Sequence, residues 1–191
     1  MILEVVKYGH PVLRQKGAQV EKITAEIQQL IADMLETMHD AKGVGLAAQQ
    51  IGSPLQLTVI DVRGATDRPS TFHRNGKEEE ANSVMPLILI NPEVKPIGEN
   101  VVGPEGCLSF PEIFSDISRP GEAEVRAMNE KGEMIEFRCG GLLARAIQHE
   151  KDHLNGVLFI DRMTRAEKDD LKAELEELQA ATKEALRGKK Q

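Results

Sequence analysis

Residues His149-Glu150-Lys151-Asp152-His153 set two imidazoles four positions apart with a carboxylate between them. On a helix, side chains at i and i+4 share a face, so both rings can reach one cation while Glu150 serves as a base beside it. The chemistry such a group performs is hydrolysis by a metal-activated water, which requires a third protein ligand and one open position. Three sources for that ligand exist. An extended form of the motif places a third His three residues after a Gly; Gly156 fits, but Phe159 stands where the ligand belongs. A downstream carboxylate, as in a metalloprotease, is available in Glu174, Glu176 or Glu177, although these lie in a strongly charged stretch that reads as a solvated helix face. The third source is Cys107, in Glu105-Gly-Cys-Leu-Ser109 after Gly103-Pro104, where glycine permits close backbone approach. Two other readings remain beside these: a closed zinc site made from Cys107, Cys139, His149 and His153, and a metal-free, hydrogen-bonded His pair.

The element that carries the motif is a helix opened by Gly140-Gly141, running through Leu154 and ending near Asn155-Gly156. At about 100° per residue, Leu142, Leu143, Ala146, Ile147, His149, Glu150, His153 and Leu154 share one arc, and Arg145, Gln148, Lys151 and Asp152 fill the opposite one. Both His and Glu150 then face inward, and an acid buried beside two His calls for a cation or a hydrogen-bonded water. Upstream, Ile23, Ile27, Leu30, Ile31, Met34, Leu35 and Met38 recur at steps of three and four and predict a helix over 23–39, stopped by Gly43 and Gly45. The β-branched run Leu57 to Val62 predicts a strand, and the polar segment Gly64 to Val84, with Asn75-Gly76, a mobile loop or hairpin tip. Further short strands are expected at Leu87–Ile90, Val101-Val102, Glu124–Met128 and Met134–Phe137, with a turn at Asn129–Gly132. A last helix from about Thr164 to Leu186 carries Leu171, Leu175, Leu178 and Leu186, so residues 165–191 read as a C-terminal amphipathic helix and tail. The sum is an α+β fold: a mixed, mainly antiparallel sheet around a central metal-binding helix, in one domain over 1–191 without internal repeats.

Composition narrows the function classes. With 24 Lys+Arg against 31 Asp+Glu the formal charge is −7, and there is no Trp, one Tyr and five Phe. The core must be aliphatic, and neither a globally basic face nor an aromatic platform for bases is on offer, which argues against direct nucleic-acid specificity. Apolar stretches such as Met85 to Ile90 are far shorter than the roughly 18 residues a membrane span needs. The N-terminus has no basic region followed by a long apolar run, so no secretory signal is read and a cytoplasmic location is expected. Two cysteines in a reducing compartment read as thiols, not a disulfide. Gly43 and Gly45 are not a phosphate loop, since no Lys-Ser/Thr follows. His10 and His73 fit no pattern and are expected at the surface.

Three segments, in order, resemble the peptide deformylase family: Gly43-Val-Gly-Leu-Ala-Ala-Gln-Gln50, Glu105-Gly-Cys-Leu-Ser109 and Gln148-His-Glu-Lys-Asp-His153-Leu-Asn-Gly156. The likeness extends to Pro11-Val-Leu-Arg14 and covers most of residues 3 to 163. The resemblance implies the family's α+β fold and removal of the formyl group from N-terminal formyl-methionine of newly made polypeptides, releasing formate. It implies that Cys107, His149 and His153 hold one divalent ion, iron(II) natively with zinc, nickel or cobalt as substitutes, and that water in the fourth position attacks the formyl carbon. Glu150 is then general base and acid, while the Gln50 side-chain amide and the Leu108 backbone N–H stabilise the oxyanion. By the same resemblance Val44 and Gly45 present backbone groups to the peptide, and Val44, Leu142 and Ala146 line the methionine pocket. Glu105 is expected either to support the ligand loop, for instance by pairing Arg119, or to be a surface acid. Relatives with a C-terminal helix imply docking on the ribosome, for which Lys183, Arg187, Lys189 and Lys190 supply a basic end. Two departures stand out: residues 64–84 exceed the corresponding connection in many relatives, and Arg145 lies near the expected pocket where an apolar residue is more usual.

Overall fold

Helix α1 (Ala25–Asp40) starts where Thr24 caps it, the hydroxyl accepting from the Ile27 N–H at 3.3 Å. Its buried stripe of Ile31, Met34 and Met38 packs on β1 (Gly45–Ala47) and β2 (Leu57–Ile60), as the three-and-four spacing requires. The computed structural model describes residues 1–189; Lys190, assigned to the basic tail, lies outside them.

The remaining strands are β3 (Ser70–Arg74), β4 (Lys77–Glu79), β5 (Leu87–Cys107), β6 (Phe110–Met128) and β7 (Met134–Gly140), giving one sheet in the order β1-β2-β5-β6-β7-β3-β4. Every named pairing is antiparallel, and among the described residues the one parallel contact is an isolated bridge between Ala18 and Leu55. The α+β expectation is met, with differences of detail. Leu87–Ile90 and Val101-Val102 are not separate strands but parts of the single 21-residue β5. Its register against β6 shifts at Ile90/Glu93, Ile97/Asn100 and Gly106/Cys107, so Asn, Pro and Gly residues that read as breaks are bulges within a bent strand. Likewise, Gly64 to Val84 contains a hairpin that joins the sheet through β3 and β7. Asn75 and Gly76 both have positive φ, at 53° and 72°, as a tight two-residue hairpin demands. Phe72 anchors that hairpin, stacking on Phe137 with centroids 4.8 Å apart.

Helix α2 (Gly141–Leu154) runs through the centre and packs on β1, β2, β3, β6 and β7. It is buried nearly all round, including Arg145, Gln148 and Asp152 from the arc opposite the motif. That arc meets β5 and β6 instead of water: Gln148 donates to Pro120 O at 2.9 Å, and Arg145 to Ile117 O and Val101 O at 2.8 and 2.7 Å. The single last helix expected from Thr164 breaks at Leu171 into α3 (Arg165–Asp170) and α4 (Lys172–Gly188). Its leucine face rests on the body as read: Leu175 is buried, with Leu171 and Leu178 beside it against Val12, Leu13 and Phe110. No helix among the described residues is long and apolar enough to cross a membrane.

The predicted strand 57–62 extends only as far as Ile60, and Asp61 follows its end. Its N–H donates to Val44 O at 2.9 Å, while its buried carboxylate accepts from Arg63 and lies 2.9 Å from His39 Nε2 on α1. Hydrogen bonds from Arg63, then from His39, overcome burial and hold this acid at about 2, below the ordinary 3.8. A depressed carboxyl stabilises the fold above its unfolded pKa and loses that contribution as pH falls through the folded one. Asp61→Asn is therefore expected to lower unfolding free energy by about 2 kcal/mol above pH 4, with the difference vanishing between about pH 4 and pH 2. Urea titrations across that range check it; a pH-independent difference contradicts the assignment.

Candidate active site and metal centre

A cleft of about 620 Å³ opens between β1, the β5–β6 turn and α2. Cys107 ends β5 at a register shift, and Leu108-Ser109 turn the chain into β6. His149 and His153 lie one helical turn apart on α2, ring centroids 5.0 Å apart, and Cys107 Sγ is 3.3 Å from His153 Nε2. One ligand atom from each of Cys107, His149 and His153 falls within 4.8 Å of the others, the only such cluster among the described residues that includes these His. A soft thiolate and two imidazoles on a closed triangle suit a first-row divalent ion such as iron(II) or zinc.

The imidazole of His149 is aimed by a buried carboxylate. Glu105, 6% exposed, accepts at Oε1 from His149 Nδ1 at 2.9 Å, which leaves Nε2 directed at the cluster. The same carboxylate takes both arms of Arg119, at 2.7 and 3.0 Å, and Arg145 Nη1 at 2.7 Å. Arg119, 3% exposed, continues to Asp152 Oδ2 at 2.9 Å, and Arg162 closes on Asp152 with two bonds of 2.6 and 2.7 Å. Burial raises the Glu105 carboxyl, but His149 and Arg119 outweigh it and hold the group well below the usual carboxylate range. For His149 burial opposes the charge, and hydrogen bonds with Cys107 and Glu105 override it, placing its proton affinity well above the ordinary value. His153 lacks such an anionic brace, and burial drives it well below.

Glu150, 4% exposed, has no partner for Oε2, and burial pushes its carboxyl up to about 7. It lies against Gly45, where a Cβ would sit 2.5 Å from Glu150 Oε1, so only glycine admits the acid here. Gln50 is oriented from both ends of its amide. Ala47 N–H donates to its Oε1 at 3.0 Å, and its Nε2 donates to Ser109 Oγ at 3.2 Å and to Cys107 Sγ at 3.4 Å. Leu108, Val44, Gly45, Leu142 and Ala146 line the same cleft as Cys107, Gln50, His149 and Glu150.

Other expectations are resolved by the same geometry. Glu105 is a buried brace, not a surface acid. Arg145 reaches past the pocket wall to Glu105 and two backbone carbonyls. Glu174, Glu176 and Glu177 are exposed on α4, outside the cluster. Cys139 lies on β7 with its Sγ 3.8 Å from Ala123 O, and burial pushes its thiol up to about 12, so the four-ligand closed zinc site does not form. His10 is half-buried and caps a short turn, its Nδ1 accepting from Val12 N–H at 3.1 Å, and His73 is a half-buried strand residue. A larger cavity of about 850 Å³ lies over β5–β7 and the β3–β4 hairpin and holds none of the predicted site residues. Arg162, Asp152 and Lys7, whose Nζ donates to Leu108 O at 3.1 Å, escaped the sequence reading. Only the side-by-side Asp152 and His153 hinted at one of them.

Residues 2–169 match the profile of the Polypeptide deformylase family. A peptide deformylase of Opitutus terrae is 45% identical over 189 residues, covering 98% of each chain. Among solved structures, the peptide deformylase of Synechococcus elongatus in complex with actinonin has 40% identity and a TM-score of 0.76, covering 90% of this chain and 85% of that one. Arabidopsis thaliana peptide deformylase 1B with an inhibitor has 34% identity and a TM-score of 0.82, covering 96% and 93%. A chain with this sheet, this central helix and this Cys-His-His cluster belongs to the polypeptide deformylase family. It is accordingly an enzyme, a hydrolase that removes N-formyl groups.

The Glu105–Arg119–Asp152 chain is expected to dominate local stability. Arg119→Ala leaves two buried carboxylates short of a partner, and a loss of about 3–5 kcal/mol in unfolding free energy is expected by chemical denaturation. A loss below about 1 kcal/mol would show that the guanidinium is not the brace described.

Proposed function

We propose that this hydrolase takes formyl-methionine at the N-terminus of newly made polypeptides and releases formate, using Glu150 as the group that moves the proton. The observation that carries this reading is Glu150 itself: a buried carboxyl with a free oxygen, at the cleft wall beside the Cys107–His149–His153 cluster. A divalent ion on those three residues, iron(II) natively or zinc, nickel or cobalt in its place, supplies Lewis acidity that brings a water's pKa from about 15.7 toward neutrality. Glu150 takes the proton from the water as its oxygen adds to the formyl carbon, and a proton affinity near 7 suits both that uptake and the later release. Negative charge growing on the formyl oxygen is met by Gln50 Nε2 and the Leu108 backbone N–H. As the carbon–nitrogen bond breaks, Glu150 returns the proton to the leaving amine, which becomes the free N-terminus, and the carbon departs as formate. Val44 and Gly45 run beside the peptide, and Val44, Leu142 and Ala146 receive the unbranched methionine side chain.

We further propose that this work is done in the cytoplasm, with α4 docking on the ribosome through the exposed Lys183 and Arg187. Lys189 is held by Glu4 at 3.2 Å and contributes less. Deleting residues 183–191 is expected to weaken co-sedimentation with ribosomes at low salt; unchanged sedimentation removes the docking proposal.

Four variants test the chemistry. Anaerobically purified Glu150→Gln is expected to keep the metal and lose at least about a hundredfold in formate release from formyl-Met-Ala. Gln50→Ala is expected to lose about 10² to 10³ with metal retained. Cys107→Ala is expected to lose the metal, whereas Cys139→Ala keeps it. Metal retained in full by Cys107→Ala, or turnover undiminished in Glu150→Gln, contradicts the roles assigned.

A further inference from the structure

The mouth of the cleft reverses the charge of the chain around it. The protein is acidic at −7, yet the residues lining this opening include Lys7, Lys42 and Arg68 against a single exposed acid, Glu112. The two other acids of the lining are buried and committed elsewhere. Glu105 is saturated by Arg119, Arg145 and His149, and Glu150 faces the reacting centre. Lys42 and Arg68 enter no ion pair among the described residues, so their charge is free for a ligand. Lys7 is anchored on Leu108 O at the inner end.

Position gives this charge a meaning. Strand β1 is the last in the sheet and pairs only with β2; its Ala47 N–H is held by Gln50 Oε1, while Val44 and Gly45 at its start line the cleft, where an extended peptide can run beside them as a further strand. Gly45 on that edge is level with Glu150. Lys42 precedes it by three residues, in the turn that follows α1, where its φ is 55° and Gly43 N–H donates to Met38 O at 2.9 Å. Arg68 lines the same cleft, on the loop whose Pro69 C=O accepts from Leu142 N–H at 3.0 Å at the start of α2. A peptide whose formyl group lies at Glu150 and whose chain leaves by this mouth carries the side chains after its methionine past Lys42 and Arg68.

We infer that Lys42 and Arg68, backed by Lys7, make the enzyme selective for formylated peptides with acidic side chains at the second and third positions after methionine. This rests on the deformylase reading above and adds to it a preference among substrates. The attraction is between solvent-facing charges, so each contact is worth only a few-fold and salt screens it, the Debye length being about 10 Å at 0.1 M.

The test uses the metal-loaded wild-type enzyme and amidated peptides formyl-Met-Ala-X-X, with X as Asp, Asn or Lys, followed by formate release at 20 mM and 0.5 M salt. The expected order of kcat/KM is Asp, then Asn, then Lys, with Asp over Lys by about tenfold at low salt, carried mainly by KM and shrinking below about twofold at high salt. The double substitution Lys42→Glu with Arg68→Gln is expected to abolish or invert that order. Values within twofold for all three peptides at low salt, or an order untouched by salt and by the double variant, overturn the inference while leaving deformylation standing. No formate from any peptide overturns the deformylase reading, and this one with it.

Discussion

One buried carboxylate coordinates most of what lies around the site. Glu105 sits two residues before Cys107 near the end of strand β5, and its two oxygens accept from a histidine of α2 and from guanidiniums on β6 and α2. A bare anion at that depth would be expelled or neutralised. With three donors it is instead a fixed point that ties β5, β6 and α2 together where the ligand atoms must converge. The histidine it holds has its Nδ1 occupied, so the ring presents Nε2 in one orientation. The arginine it holds is itself fixed by Asp152, the residue next to His153. Metal affinity, helix placement and core stability are thus coupled through one group.

The two histidines of the motif are consequently not equivalent. His149 has an anionic brace and His153 has none, and their proton affinities move in opposite directions. Glu150 lies between them in sequence but faces a wall made of Gly45, with no donor on one oxygen. Two carboxylates a few residues of structure apart therefore do different jobs: Glu105 stays ionised because it is fully paired, while Glu150 is poised near neutrality because it is buried and short of partners.

Local patterns carried much of this. The four-residue His spacing, the apolar arc around it and the three-and-four spacing along α1 are short-range consequences of helix geometry, and each was legible from residue types alone. The convergence of Cys107 on α2 was legible only through the ordered resemblance of three segments, because nothing local connects positions 107 and 149. What escaped reading has a common cause. Arg145, Gln148 and Asp152 look like a solvated arc, and only the long strands β5 and β6 folding over them convert them into a buried network. Those strands in turn were read as fragments, since bulges at Asn91-Pro92 and Gly98 interrupt the alternation that marks a strand. The hairpin in residues 70–79 was foreshadowed by Asn75-Gly76, but its attachment depends on one aromatic, Phe72, finding Phe137.

The central claim is that a thiolate on a strand end and two imidazoles on the central helix share one ion. X-ray absorption spectroscopy on protein purified without oxygen and loaded with a single equivalent of zinc tests this most directly. The account predicts an inner shell with one sulfur and two imidazole nitrogens in wild type, and the sulfur contribution absent in Cys107→Ser but unchanged in Cys139→Ser. A shell without sulfur in the wild type, or one holding two sulfurs, would contradict it.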